Sequence, residues 1–417
     1  MARTVVIVGA LDTKGSELGY ARQIIAGFGL DTLVVDFGVM GKPAFAPDIG
    51  RAEVMAAAGT DLERLASGDH KDEAMAAAAR GLAVVVRRLY DAGRLDGIIG
   101  MGGSAATSIA TAAMRALPVG VPKLMLSTMA GTDVSAYVGT RDITFMPSVV
   151  DVAGLNRISR RIYANAAGAI AGMVQVELPP AAVSKPIIAA SMFGNTTAAV
   201  DHAREILERN GFEVLVFHAN GAGGRTMEGL IYDHAVAGLL DLTTTELADE
   251  VCGGALSAGP ERCLAASRAG IPAVLVPGCV DMANFFAPDT VPERYRDRNL
   301  YHWNMNNTLL RTNVEENRRI GRLLAEAANA ATAPVAILLP SGGLSMLDSE
   351  GHEFWDPEAD AACFEAIKAN LRAGIPVIET QDNINNPAFS ELAARTLMAM
   401  LGQPEQIAGG LRHGDPA

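Results

Sequence analysis

Cysteine is scarce in this chain, with four among 417 residues, all beyond position 250. Cys252, Cys263, Cys279 and Cys363 contain no CxxC pair, which excludes a zinc knuckle of that spacing and gives no disulfide framework. Charge is also thin: 34 Lys and Arg stand against 47 Asp and Glu, for a formal net charge of −13. Such a chain lacks the concentrated basic surface on which nucleic-acid wrapping depends, although a small anionic ligand remains compatible with it. No apolar run reaches membrane-spanning length, and the N-terminus enters a β-branched stretch with no basic region, apolar core and cleavage site before it. A cytoplasmic protein engaging neither nucleic acid nor membrane is expected.

What the chain has instead is 49% hydrophobic residues, 43 glycines and an internal repeat. Thr4–Val5–Val6–Ile7–Val8, a polar turn and Leu33–Val34–Val35–Asp36 recur as Ile187–Ile188–Ala189–Ala190, a polar turn and Val214–Leu215–Val216–Phe217. Gly120–Val121–Pro122–Lys123–Leu124–Met125 is answered by Gly270–Ile271–Pro272–Ala273–Val274–Leu275. A chain of this length is expected to hold two domains. The repeat places them at residues 1–180 and 185–417.

Short β-branched runs alternating with Ala-rich helical stretches indicate parallel strands joined by helical crossovers. The predicted fold class is therefore α/β, with two tandem Rossmann-like domains, mainly parallel sheets and a cleft between them. Strands are predicted at residues 5–8, 33–36, 97–100, 123–127 and 143–145. In the second half they fall at 187–191, 213–217, 238–242, 273–276, 336–339 and 377–379. A long helix is predicted over residues 151–176 on the stripe Leu155, Ile158, Ile162, Ala166, Ile170 and Met173, and residues 40–70 read as a helical insertion with loops.

Several loops that follow strands carry ligand-binding chemistry. Gly102–Gly103–Ser104, with Thr107 opening a helix, offers close backbone approach, hydroxyls and helix-start amides to an anion, against the plainer reading of a turn chosen for packing. Asp12–Thr13–Lys14 occupies the same position after the first strand and serves either as a helix cap or as a ligand contact; Lys14 is the telling residue, since a cap needs no cation. The run from His218 to Glu228 sets Arg225 among Gly221, Gly223 and Gly224, as suits a carboxylate or phosphate. Thr243–Thr244–Thr245–Glu246 reads as a ligand loop or a richly provided helix cap. Cys279 reads as a buried thiol before a nucleophile. His218, His302 and Asp281 lack the spacing of a recognised metal site.

Taken together, Gly102–Gly103–Ser104, Leu126–Ser127–Thr128, Met146–Pro147–Ser148–Val149–Val150–Asp151, the loop after His218, Asp241–Leu242–Thr243–Thr244–Thr245–Glu246 and Pro288–Asp289–Thr290–Val291–Pro292–Glu293–Arg294 give the chain a resemblance. It resembles the family of the tomato mosaic virus resistance protein's N-terminal ATP-binding domain and its bacterial relatives, over almost its whole length to about Leu401. The resemblance implies two Rossmann-like domains, ATP bound at a site involving the cleft, and a homodimer. The barrel-like partner fused in the plant protein is expected here, if at all, as a separate chain. The family's histidine before the Ile–Asn–Asp–Pro run is replaced in Asn383–Ile384–Asn385–Asn386–Pro387.

The leading expectation is an ATP-dependent phosphotransferase or ligase acting on a small polar metabolite in the cleft. Lys14 and Arg225 supply cations; Asp12, Thr13, Gly102, Gly103, Ser104, Thr107, Ser127, Thr128, Gly221 and Gly224 line the nucleotide. Asp281, Glu246 and His218 are the catalytic candidates, and Asp281, Glu246 or Asp249 the candidates to hold Mg²⁺. The rivals are a nucleotide-responsive regulator without catalysis and an enzyme cleaving carbon–carbon or ester bonds.

Overall fold

Consecutive apolar residues, rather than alternating ones, form most strands of the parallel sheets, because each of those sheets is covered by helices on both faces. The computed structural model describes residues 3–62, 71–177, 179 and 185–402, and the chain divides into two units at residues 181/182.

In the N-terminal unit, β1 (Thr4–Gly9), β2 (Asp31–Asp36), β3 (Gly97–Gly102), β4 (Lys123–Ser127) and β5 (Thr144–Pro147) form one sheet in the order β2-β1-β3-β4-β5. All its pairings are parallel. Side chains alternate across it. Val6, Val8 and Ile98 pack on Val54, Ala77, Val85 and Met114. Val5, Ile7 and Ile99 pack on Leu18, Ile25, Tyr163 and Ile170. Each fully buried Val or Ile contributes roughly 1.5–3 kcal/mol.

The C-terminal unit contains β6 (Ile187–Met192), β7 (Glu213–His218), β8 (Gly238–Asp241), β9 (Ala273–Leu275), β10 (Met282–Phe285), β11 (Leu300–Asn304), β12 (Asn307–Arg311), β13 (Val335–Pro340) and β14 (Val377–Thr380). Six of them form a sheet ordered β14-β13-β9-β8-β6-β7. Read from β7 to β13, that order repeats β2-β1-β3-β4-β5, so the sequence repeat is a repeat of topology.

Two features depart from the sequence reading. The helix predicted over residues 151–176 runs Arg157–Gln175 instead, because Asn156 caps it: its side chain accepts from the Ile158 and Ser159 amides. Its buried face is Ser159, Tyr163, Ala166, Ala167, Ile170, Ala171 and Val174, while Ile158 from the expected stripe is exposed. A separate antiparallel sheet, β10-β12-β11, had no counterpart among the expected strands. The helical insertion expected at residues 40–70 is present as a helix at Arg51–Ala57 flanked by loops, and residues 63–70 lie outside the described part.

Candidate functional site

Strand order reverses between β1 and β3 in the first sheet, and between β6 and β8 in the second. At such switch points the loops leaving the strands' carboxyl ends diverge and open a crevice. In the N-terminal unit a cavity of about 620 Å³ lies there, lined from the β1 turn by Asp12, Thr13 and Lys14 and from the β3 turn by Gly103, Ser104 and Ala106. Phe37 to Met40, Ala74, Met75, Ala78, Ile109 and Asp151 complete the lining.

Local folding explains how each side chain arrives. Asp36, buried at the end of β2, accepts the Leu11 amide at 3.0 Å and the Gly38 amide at 2.9 Å through one oxygen, which ties the β1 turn to the loop after β2. Burial raises its pKa above the ordinary value. Asp12 neither caps its helix nor pairs with Lys14. Its Oδ2 accepts the Met40 and Gly41 amides at 2.9 and 3.0 Å, and Arg51 stands 3.8 Å away. Thr13 likewise makes no cap; its hydroxyl donates weakly to Ala10 O at 3.4 Å.

Lys14 breaks the first helical turn, at φ −128° and ψ 21°. Among the described residues its ammonium has no ion-pair or hydrogen-bond partner. On the lining of the same cavity, the helix Ser104–Arg115 begins after an extended Gly103 and no side chain caps it, so its first amides lack the usual acceptor. Thr107 lies behind this edge, fully buried, with Oγ1 2.7 Å from Ser127 Oγ and 2.8 Å from Gly103 O. Ser127 in turn accepts the Met129 amide, and exposed Thr128 hydrogen-bonds through its amide to Gly102 O. A cation and an uncapped helix start on the lining of one cavity form an arrangement suited to an anion.

The candidates in the C-terminal unit have other partners. Glu246 is buried, receiving the Gly221 amide at 2.6 Å, the Gly224 amide at 3.2 Å and Arg262 Nε at 2.6 Å. The amides expected to cradle a ligand therefore hold an internal carboxylate. Arg225 donates to Ser257 O at 3.0 Å. Asp281 is buried against Ser345 Oγ at 2.9 Å, and Asp249 is bound by the backbone and side chain of Asn284, both at 2.8 Å. The threonines do not cap: Thr244 donates to Val276 O, Thr245 to Met282 O, and Thr243 meets Thr196 at 2.7 Å. Cys279 is buried, and burial pushes its thiol up. His302 has Thr308 at 3.4 Å, and His218 rests edge-on against Phe193 with ring centroids 5.1 Å apart. Among the described residues no group of three or more His, Cys, Asp or Glu side chains is placed to hold a metal ion, and no helix is long and apolar enough to cross a membrane.

Sequence reasoning missed Arg262, which partners Glu246, and Arg311, which partners two other buried acids. Arg311 lies 2.7 Å from Asp360 and 3.6 Å from Asp348. Nothing local marks either arginine, since each partner lies 16 or more residues away in sequence. It also missed Asp36 and Asp151; an acid closing a β-branched strand was the available signal for Asp36.

Fold and site thus define an α/β protein of two parallel-sheet units with a polar crevice at the switch point of the first. The chain belongs to the family described as Uncharacterised protein family (UPF0261), whose N-terminal domain matches residues 3–179 and whose C-terminal domain matches residues 185–401. A UPF0261 protein of Clostridium tetani is 46% identical over 96% of this chain and 100% of its own length. One from Rhizobium meliloti is 44% identical over 94% and 97%. The ToMV resistance protein Tm-1(GCR237) of Solanum lycopersicum is 38% identical over 73% of this chain, which spans 41% of that protein. Among solved structures, Acinetobacter baumannii MurG aligns over 96% of this chain and 100% of its own at 9% identity and a TM-score of 0.22, too low to carry an argument.

Proposed function

We propose that the N-terminal unit binds a phosphate-bearing ligand at its switch point, and that the ligand is ATP. The observation carrying this reading is Lys14, a cation without a partner among the described residues, on the lining of a cavity that an uncapped helix start also lines. A helix terminus supplies only about half a charge, so a multiply charged anion needs such a cation beside it. The cavity volume lies within the roughly 300–1,000 Å³ range typical of small-molecule sites. Phosphates would lie against Gly103, Ser104 and Lys14, with Thr13 at the rim. Mg²⁺ belongs to the same proposal, because it binds through one or two carboxylates together with phosphate oxygens, and Asp151 on the lining is the carboxylate suited to it.

Phosphoryl transfer or ligation to a small polar metabolite is the enzymatic form of this reading. A nucleotide-responsive regulator is the second, favoured by the burial of Glu246, Asp249 and Asp281 in contacts internal to the fold. Measuring ADP release with and without a metabolite panel separates them: metabolite-dependent release supports the enzyme, and binding without turnover supports the regulator. Failure of ATP to bind would overturn both.

A further inference from the structure

The C-terminal unit holds a second cavity, of about 280 Å³, that the sequence reading did not anticipate. It lies where β6 and β7 end, with residues of β10, β11 and β12 forming another part of its wall. Four carboxamides, Asn195, Asn220, Asn284 and Asn307, line it together with four aromatic rings that include Phe193 and Trp303. Among the described residues that line it there is no carboxylate, ammonium or guanidinium, and His218 is the sole titratable one. This is the reverse of the N-terminal site, where Asp12, Lys14 and Asp151 set the chemistry.

The carboxamides are held unequally. Asn284 Nδ2 donates to Asp249 Oδ2 at 2.8 Å and to Thr245 Oγ1 at 3.3 Å, which fixes the plane of its amide. Asn220 Oδ1 accepts the Gly223 amide at 3.0 Å. Asn195 is only 2% exposed, yet among the described residues its Oδ1 has no hydrogen-bond partner and its Nδ2 reaches only the Met282 sulfur at 3.4 Å. A buried carboxamide left this poorly satisfied costs stability unless something else pairs with it. Trp303, 46% exposed on β11, adds an open ring face to the same wall.

We infer that this cavity binds a compact, uncharged ring carrying adjacent hydrogen-bond donors and acceptors, the chemistry shared by a nucleobase and a hexopyranose. A carboxamide presents one donor and one acceptor side by side and so pairs with such an edge, while an aromatic face packs on the ring. The absence of charge on the lining selects against anions, since a buried ionic group without a partner is costly. The volume, below that of most drug-sized pockets, limits the occupant to about one ring. This site does not depend on nucleotide binding in the N-terminal unit.

The test uses the full chain carrying Trp355→Phe, which leaves Trp303 as the tryptophan reporter. Adenine, uracil, methyl glucoside and methyl galactoside are titrated against Trp303 emission, with gluconate and glucose 6-phosphate as charged comparators. At least one neutral ring is expected to bind saturably, its identity telling base from sugar. Asn195→Ala and Asn307→Ala should each weaken it about tenfold, the Asn307 variant at unchanged melting temperature, and Lys14→Ala should leave it unaltered. Three results would overturn the inference: no saturable binding by any neutral compound at millimolar concentration, tighter binding of the charged comparators, or affinity that survives both asparagine substitutions. Asn307 is exposed, so its variant remains informative should Asn195→Ala fail to fold.

Discussion

Arg262 grips Asp241 through two parallel hydrogen bonds, Nη1 to Oδ2 at 2.6 Å and Nη2 to Oδ1 at 2.7 Å, with both side chains sealed from water. The same guanidinium donates through Nε to Glu246, so one cation holds the end of β8 to the helix Thr245–Cys252. Arg262→Met would leave two buried carboxylates without their cation and is expected to cost about 3–5 kcal/mol, read from urea denaturation. Arg262→Lys should recover little of that, because a single ammonium cannot reproduce the fork.

Glu228 lies beside this cluster, and its carboxyl is pushed up to about 7 by burial, against the opposing pull of Arg262 and of the Cys263 amide. An acid whose folded pKa exceeds its unfolded value binds more protons when folded, so its contribution is full below the ordinary 4.5 and is lost as pH rises to about 7. Glu228→Gln keeps an oxygen for the Cys263 amide at 2.7 Å but carries no charge. The variant should therefore gain stability relative to the parent between pH 5 and pH 8. Melting curves whose difference does not change with pH would contradict the assignment.

Adjacent glycines at the candidate anion site should respond in opposite ways. Gly102 adopts φ +155°, and an added Cβ would meet the Ala106 Cβ at 2.5 Å, so Gly102→Ala is expected to destabilise by about 1–3 kcal/mol. Gly103 has an ordinary φ of −83°, and its nearest neighbour to an added Cβ would be Thr128 Oγ1 at 3.8 Å. Gly103→Ala should fold as the parent does while placing a methyl at the cavity edge and weakening ligand affinity. Thermal melts paired with ligand titrations check both halves.

Strands of the parallel sheets were legible because burial on both faces writes itself as unbroken apolar runs such as Val5–Val6–Ile7–Val8. The repeat was legible for the same reason. What escaped was decided at long range. β11 and β12 carry Tyr301, His302, Trp303 and Asn307, a polar and aromatic pattern that resembles a loop until β12 is seen pairing with both β10 and β11. Glu246 and Asp281 stand after strands as catalytic acids do, and only the folded chain brings Arg262 and Ser345 to them. Lys14 and Ser104 could be found because each lies in the first turn of a helix that follows a strand, where position alone implies access.

Calorimetric titration of ATP into the parent chain and into Lys14→Ala tests the central claim most directly. Lys14 makes no bond to the rest of the described protein, so the variant should melt with the parent while binding ATP at least about tenfold more weakly, and the parent's affinity should fall as salt rises. Equal affinity in the two proteins, or no binding to either, would contradict an anion site built on Lys14 and the Ser104 helix start.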